Sequence, residues 1–444
     1  MIDISPELIA IIMFGGAIVG ILLGYPLVFV LGGLALFVGL AAIGPFSFGL
    51  FRARIWAMMV DYSFLAAPLF IFMGLMVEKS GAANKLYDGL YVWFGGLRGG
   101  LAIATILMGT LLAACVGVIA ASVIMIGLIA TPSMLQRGYN RELISGSVCA
   151  GGTLGILIPP SVMLVLYGPS ASLSVGKLFM AAFGPGLLLS ALYVTYIGVR
   201  CWLSPKLAPP ISIQERKVTI LKKLHMLITG ILPPLFLMLS VLGVIFFGIA
   251  APTEAAAVGA FAAILLAIAY RRLNWTTLNE VMLQTMKITS MALFIGWGAS
   301  MFTGVFLRLG GGEVIANIIL AAPFGKWGGF LMIMFVIFIL GMLIDWIGII
   351  FIMVPLVSPI VPQMGFDPIW FAMMIVINLQ MSFLTPPMAY AIFFYRGVVK
   401  PEWDIHTNHI IRGVVPFVII IIIALCLCIA FPQIILWLPS IMKG

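Results

Sequence analysis

The succession of apolar runs limits this chain more than any other feature. They fall near residues 8–23, 26–43, 63–78, 101–114, 118–131, 143–168, 177–201, 225–248, 252–270, 287–308, 329–344, 348–361, 370–395 and 413–437. Most approach the length of about 20 residues that a helix needs to cross roughly 30 Å of hydrocarbon. With 63% of residues hydrophobic and 8% charged, no soluble core absorbs so much apolar surface. Lipid offers no hydrogen bonds, so spanning segments must satisfy their own backbone as helices. The fold class is therefore an all-α polytopic membrane protein. The net charge of +9 reads as basic cytoplasmic loops, not as a nucleic-acid surface. Cys115, Cys149, Cys201, Cys426 and Cys428 all sit in or at the ends of apolar stretches, as buried thiols with no disulfide framework. Residues 1–7 are acidic and no small-residue cleavage site follows, so the first run reads as a retained span.

Four runs are too short to be comfortable spans, and they come as two close pairs. Each pair predicts a re-entrant hairpin, about 101–131 and about 329–361, entering and leaving on one side. Such backbone is tolerated only under protein or beside a watery cavity. The two hairpins belong to an internal repeat. ATPSMLQRGYN (130–140) aligns with VSPIVPQMGFD (357–367), placing Gly365 227 residues after Gly138. The same spacing, without gaps, carries Pro159 and Pro160 onto Pro386 and Pro387. Two landmarks at one spacing indicate duplication. The predicted units are a first repeat over 1–205, a basic cytoplasmic linker over 206–224 and a second repeat over 225–444. Each holds three spans, a surface helix (82–95 or 313–322), the hairpin, a broken span (about 143–168 or 370–395) and a final span. Five full crossings per repeat invert the second relative to the first. With both termini periplasmic, 17 of the 23 Lys and Arg residues fall on the inside and 6 outside, which favours this orientation over its inverse.

Proline removes a backbone donor and clashes with the preceding turn, so each proline pair interrupts its span. A break frees carbonyls, which suit Na⁺, and creates a half-helix N-terminus, which suits an anion. Around the first break stand Thr153, Gly155 and Ser161; around the second stand Asn378, Gln380, Ser382 and Thr385. A single break reads better as a kinked helix satisfying its own backbone; two symmetric breaks, each after a hairpin, favour binding sites. Asp345 lies in the turn of the second hairpin. A carboxylate at membrane depth is a functional candidate, and Asp is also a good N-cap. Its counterpart in the first repeat is Val118, where Gly117 and Ser122 are the candidates. Glu254, in the first turn of a span, is either a dipole-favoured acid or ion-linked. His406 and His409 fall in a polar loop and read as surface groups. No phosphate-binding G-x-x-x-x-G-K-[ST] occurs, nor H-E-x-x-H, nor G-x-S-x-G, so neither ATP use nor hydrolase chemistry is expected, and no transition-metal site.

Three stretches carry a resemblance: GGTLGILIPPSVMLVLYG (151–168), APTEAAAVGA (251–260) and NLQMSFLTPPMAYAIFFYRGV (378–398). In this order they resemble the DctM-like large membrane subunit of tripartite ATP-independent periplasmic (TRAP) transporters, over essentially the whole chain. The resemblance implies an elevator-type, Na⁺-coupled importer of organic anions (carboxylates) in the bacterial inner membrane, with scaffold and transport domains and no enzymatic activity. It implies two partners, a small four-helix membrane subunit and a periplasmic solute-binding protein. It also implies that the hairpins and broken spans carry sodium and substrate, at Gly117, Ser122, Thr153, Gly155, Pro159 and Pro160, and at Asp345, Gly348, Asn378, Gln380, Ser382, Thr385, Pro386 and Pro387. Many family members have an S-G-S-S kind of first hairpin tip, where this chain has Val116-Gly117-Val118-Ile119. A cation there would rest on carbonyls and Ser122. The competing readings are a stand-alone ion-coupled carboxylate transporter and a non-transporting scaffold for a binding protein.

Overall fold

The computed structural model describes residues 5–211 and 219–442, with the backbone alone over 113–116. The side chain of Cys115, residues 212–218 of the basic linker and Lys443 lie outside the described residues. The first half begins with α1 (Pro6–Leu22) and α2 (Leu27–Ala42). Next come α3 (Ser47–Val60), α4 (Ala66–Lys79) and the amphipathic α5 (Ala82–Phe94). A hairpin of α6 (Gly100–Val116) and α7 (Ile119–Gln136) leads to α8 (Arg141–Thr153), α9 (Val162–Ala171) and the long α10 (Val175–Leu203). The second half runs α11 (Ile220–Phe246), α12 (Pro252–Ala269), α13 (Trp275–Arg308) and α14 (Gly311–Leu320). A second hairpin of α15 (Lys326–Gly341) and α16 (Trp346–Val357) precedes α17 (Pro368–Ser382), α18 (Tyr390–Val398), α19 (Thr407–Ala430) and α20 (Gln433–Ile441). Among the described residues there is no strand.

The spacing of 227 found in the motifs is also the spacing of the helices. α7 and α16 begin at 119 and 346, and α8 and α17 at 141 and 368. The caps match as well. Asn140 Oδ1 accepts the amides of Glu142 and Leu143 at 2.9 and 3.1 Å, and Asp367 Oδ1 accepts those of Ile369 and Trp370 at 2.8 and 3.0 Å. Just before each cap, Gly138 (φ 71°) and Gly365 (φ 74°) turn the chain through the left-handed region that disfavours a Cβ. Contacts between the halves are reciprocal. α2 packs on α13 as α12 packs on α4, α1 on α14 as α11 on α5, and α7 on α18 as α16 on α9.

Some details depart from the hydropathy pattern. The pattern predicts nothing over Ser47–Val60, yet α3 fills it; its counterpart is the first half of the 34-residue α13. The reason is polarity: Arg52 and Arg54, or Thr276, Asn279 and Glu280, interrupt any apolar run. α7 continues through Pro132 to Gln136, well past 131. The last run is two helices, split at Phe431 and Pro432. Among the described residues, seven segments are long and apolar enough to cross a membrane: Tyr62–Lys79, α7, α10, α11, α12, α13 and α19. α1 and α2, at 17 and 16 residues, fall just short of that length, and the two interrupted helices reach it only as pairs. Cys149, Cys201 and Cys428 are buried free thiols, but Cys426 is exposed on the outer face of α19.

Small residues bring the buried helices together. A Cβ added at Gly109 of α6 would stand 2.4 Å from the Gly151 carbonyl oxygen of α8, and one at Gly146 of α8 would stand 2.2 Å from that of Gly413 in α19. Such close crossings are how helices pack where water does not drive them together.

Candidate functional site

Each hairpin tip rests on the break of its own half. At the first tip, Gly117 (φ 63°) turns between α6 and α7, where a side chain would be strained. A Cβ there would come 3.2 Å from Val162 Cγ2 and 3.6 Å from the Pro160 carbonyl oxygen. The break itself is a 3-10 turn at Leu154–Ile156 followed by non-helical residues up to Ser161. Thr153 Oγ1 donates to the Ala150 carbonyl at 3.0 Å and Ser161 Oγ to that of Ile156 at 2.6 Å, so both hydroxyls satisfy the interrupted backbone. At the second tip, the Met388 amide donates to the Met342 carbonyl at 3.2 Å, and the Ala391 amide to that of Phe383 at 3.1 Å across the break. Thr385 Oγ1 donates to Met381 at 2.8 Å. The peptide bond between the two prolines is cis in both halves. Pro159 and Pro160 are buried, whereas Pro386 and Pro387 are exposed.

The two tips and the helices that resume after the two breaks line one cavity of about 360 Å³. The first residues of four helices line it: Ile119 of α7, Val162 of α9, Trp346 of α16 and Tyr390 of α18. The unpaired amides of a helix N-terminus carry about half a positive charge. Four such N-termini meet at one cavity, of a size usual for small-molecule sites, although the Ala391 amide of α18 is already bonded to the Phe383 carbonyl. Ile71 of α4 and Ile288, Met291, Ala292 and Ile295 of α13 complete the apolar lining. Asp345 is the charged residue of the lining, and it is partly exposed into the cavity. It holds the N-cap position of α16 facing the Trp346 and Ile347 amides, but closes no capping hydrogen bond.

The other candidates divide into three groups. Asn378 and Ser382 hold α17 to the hairpin arm α15: Asn378 Nδ2 donates to the Met334 carbonyl at 2.8 Å and Ser382 Oγ to that of Phe338 at 3.2 Å. Ser122 and Gln380 are buried with no hydrogen-bond partner for the hydroxyl or for either amide atom. Buried polar groups are almost always paired, so these atoms, unpaired among the described residues, stand out, although neither residue is in the cavity lining. Gly155 is buried inside the first break, and Gly348 makes room for α2, since a Cβ there would meet Leu27 Cδ2 at 2.2 Å. Glu254 lies away from the cavity. Its carboxylate accepts the Ala251 amide at 3.0 Å from the exposed first turn of α12, which gives it a capping role. His406 pairs with Asp404 at 3.0 Å on the surface. Trp346, Tyr390, Phe394 and the α13 wall were not legible as site residues, although Trp346 and Tyr390 directly follow a tip and a break.

The comparisons with known proteins agree with this architecture. Residues 14–434 match the family model described as "Tripartite ATP-independent periplasmic transporter, DctM component". The chain is 34% identical over 382 residues to the C4-dicarboxylate TRAP transporter large permease protein DctM of Pseudomonas aeruginosa, covering 85% of this chain and 86% of that one. It is 28% identical to the 2,3-diketo-L-gulonate large permease YiaN of Escherichia coli, covering 96% and 98%, and 28% identical to the sialic acid large permease SiaM of Vibrio cholerae, covering 86% and 88%. The YdaH transporter of Alcanivorax borkumensis shares the fold at 15% identity, with a TM-score of 0.60 over 97% of this chain and 100% of that one. With a matching model over nearly its whole length and these permeases as relatives, the chain belongs to the DctM family, the large permease component of TRAP transporters.

Proposed function

We propose that the chain translocates an organic anion, a carboxylate, across the bacterial inner membrane, driven by Na⁺ and without ATP. It does so with a small four-helix membrane subunit and a periplasmic solute-binding protein that delivers the substrate. The observation that carries this reading is the convergence of four helix N-termini, two from hairpins and two from broken helices, on one cavity. A carboxylate bound there needs no cationic side chain, because the amides and the aligned peptide dipoles supply the positive potential. The relatives named for C4-dicarboxylate, 2,3-diketo-L-gulonate and sialic acid support an acid as substrate.

Na⁺ is a hard cation that takes oxygen ligands. Asp345, the unpartnered Ser122 hydroxyl and Gln380 amide oxygen, and carbonyls near Gly117 are the groups proposed to serve it. Reciprocal packing between the halves, together with an odd number of crossings in each, supports inverted repeats with both termini on one side, and the Lys and Arg distribution favours the periplasm. The moving unit would be the hairpins with their broken helices, sliding as an elevator against a scaffold that includes α4 and α13, the apolar wall of the cavity. In proteoliposomes holding this chain and the small subunit, uptake should need the binding protein and a Na⁺ gradient. Uptake that is indifferent to replacing Na⁺ with K⁺ would refute the coupling. Uptake by the chain alone would make it a stand-alone transporter, and absence of any flux would make it a scaffold.

A further inference from the structure

Within that proposed function, which this inference rests on, the cavity says more about its cargo than its charge does. Its polar groups come from the tips and the helix starts: the helix N-termini, Asp345 and Tyr390. The lining from α4 and α13 is Ile71, Ile288, Met291, Ala292 and Ile295, without a hydroxyl, amide or charge. Trp346 and Phe394 add aromatic surface, and no Lys, Arg or His is among the described lining residues.

We infer that the transported acid is a monocarboxylate with a bulky branched or aromatic body, its carboxylate at the N-termini and its apolar body against α4 and α13. A second carboxylate at the far end would face isoleucines, with no cation to replace its water. The hydroxyls of a sugar acid would find the Tyr390 hydroxyl and the Asp345 carboxylate and then run out of partners. Apolar bodies gain what those acids lose, since the wall releases water on contact and aromatic rings stack on Trp346 and Phe394. This chain therefore departs in cargo from the relatives named for dicarboxylates and sugar acids, while keeping their architecture.

The test is Na⁺-driven uptake by the reconstituted chain, small subunit and cognate binding protein, with four labelled acids at equal concentration: 3-phenylpropionate, 4-methylpentanoate, succinate and gluconate. One of the first two should be taken up at least about tenfold faster than succinate or gluconate, the scale on which apolar pockets sort ligands. Equal or faster uptake of succinate or gluconate overturns the inference and leaves the proposed function standing. No Na⁺-dependent uptake of any of the four overturns the inference alone, since an importer of another acid would give the same result. Ala292→Phe, which fills the apolar wall, should then slow 3-phenylpropionate more than 4-methylpentanoate; equal slowing of both would place the body elsewhere and refute the assigned orientation.

Discussion

Gly109→Ala tests whether the first hairpin and its broken helix form one rigid body. The added methyl would stand 2.4, 2.7 and 2.9 Å from the carbonyl oxygen, carbonyl carbon and Cα of Gly151. An ordinary contact begins near 3.4 Å, so α6 and α8 must part by roughly 1 Å at this crossing. Both partners are backbone inside buried helices, and no side chain is there to rotate away. Overpacking of this kind costs about 1–3 kcal/mol, and an immovable neighbour puts it at the upper end. The alanine returns about 1 kcal/mol through better helix propensity, for a net loss of about 2 kcal/mol. Gly33→Ala in α2 is the matched control, since nothing lies within 4 Å of its Cβ. It should gain the propensity term alone, so the two variants should differ by about 3 kcal/mol. Thermal unfolding of the purified complex with its small subunit reads the difference. The reasoning fails if Gly109→Ala melts at or above Gly33→Ala.

Asp345→Asn removes the charge at an N-cap where the side chain closes no hydrogen bond, so it should leave the melting temperature unchanged. It should weaken apparent Na⁺ affinity about tenfold or more in a sodium titration of uptake, given the strength of a close ion pair at reduced dielectric. An unchanged titration would reduce Asp345 to a cap. Asn378→Leu removes the bond to the Met334 carbonyl and should lower stability by about 1–2 kcal/mol, read by thermal unfolding. Glu254→Ala gives up one exposed bond to the Ala251 amide. It should cost about 0.5–1 kcal/mol and leave sodium dependence untouched; a shifted titration would return Glu254 to the ion site.

The helical hairpins, both breaks and the two short amphipathic helices were legible because each leaves a local mark: a short apolar run, a proline pair, an amphipathic segment. What needed three dimensions was less visible. The polar α3 escapes a search for apolar runs, and so does the first half of α13, because a helix held by packing need not be uniformly apolar. Asp345 was legible as a rare deep charge, and the structure puts it in the cavity lining. Asn378, Ser382, Thr153 and Ser161 carried the same polar signal, yet in this structure they satisfy backbone carbonyls. Polarity near a break does not separate a ligand from a group that repairs the break. The apolar wall was invisible for the opposite reason: Ile288, Met291 and Ala292 look like any other apolar helix face.

The two halves share geometry but divide the chemistry. Positions 118 and 345 both cap the second helix of a hairpin, yet one is Val and the other Asp. Positions 153 and 380, again 227 apart, are a threonine bonded to its own backbone and a glutamine with no partner at all. The first break is buried and self-satisfied, while the second exposes Pro386 and Pro387. The repeat therefore supplies the frame twice, with matched caps and matched turns, but the acidic and unpartnered amide groups cluster in the second copy. Ser122 adds an unpaired hydroxyl just inside α7, in the first copy. If cation chemistry is concentrated in the second half, Asp345 and Gln380 variants should change sodium dependence more than changes at Thr153 or Ser161, whose hydroxyls are already engaged with their own backbone.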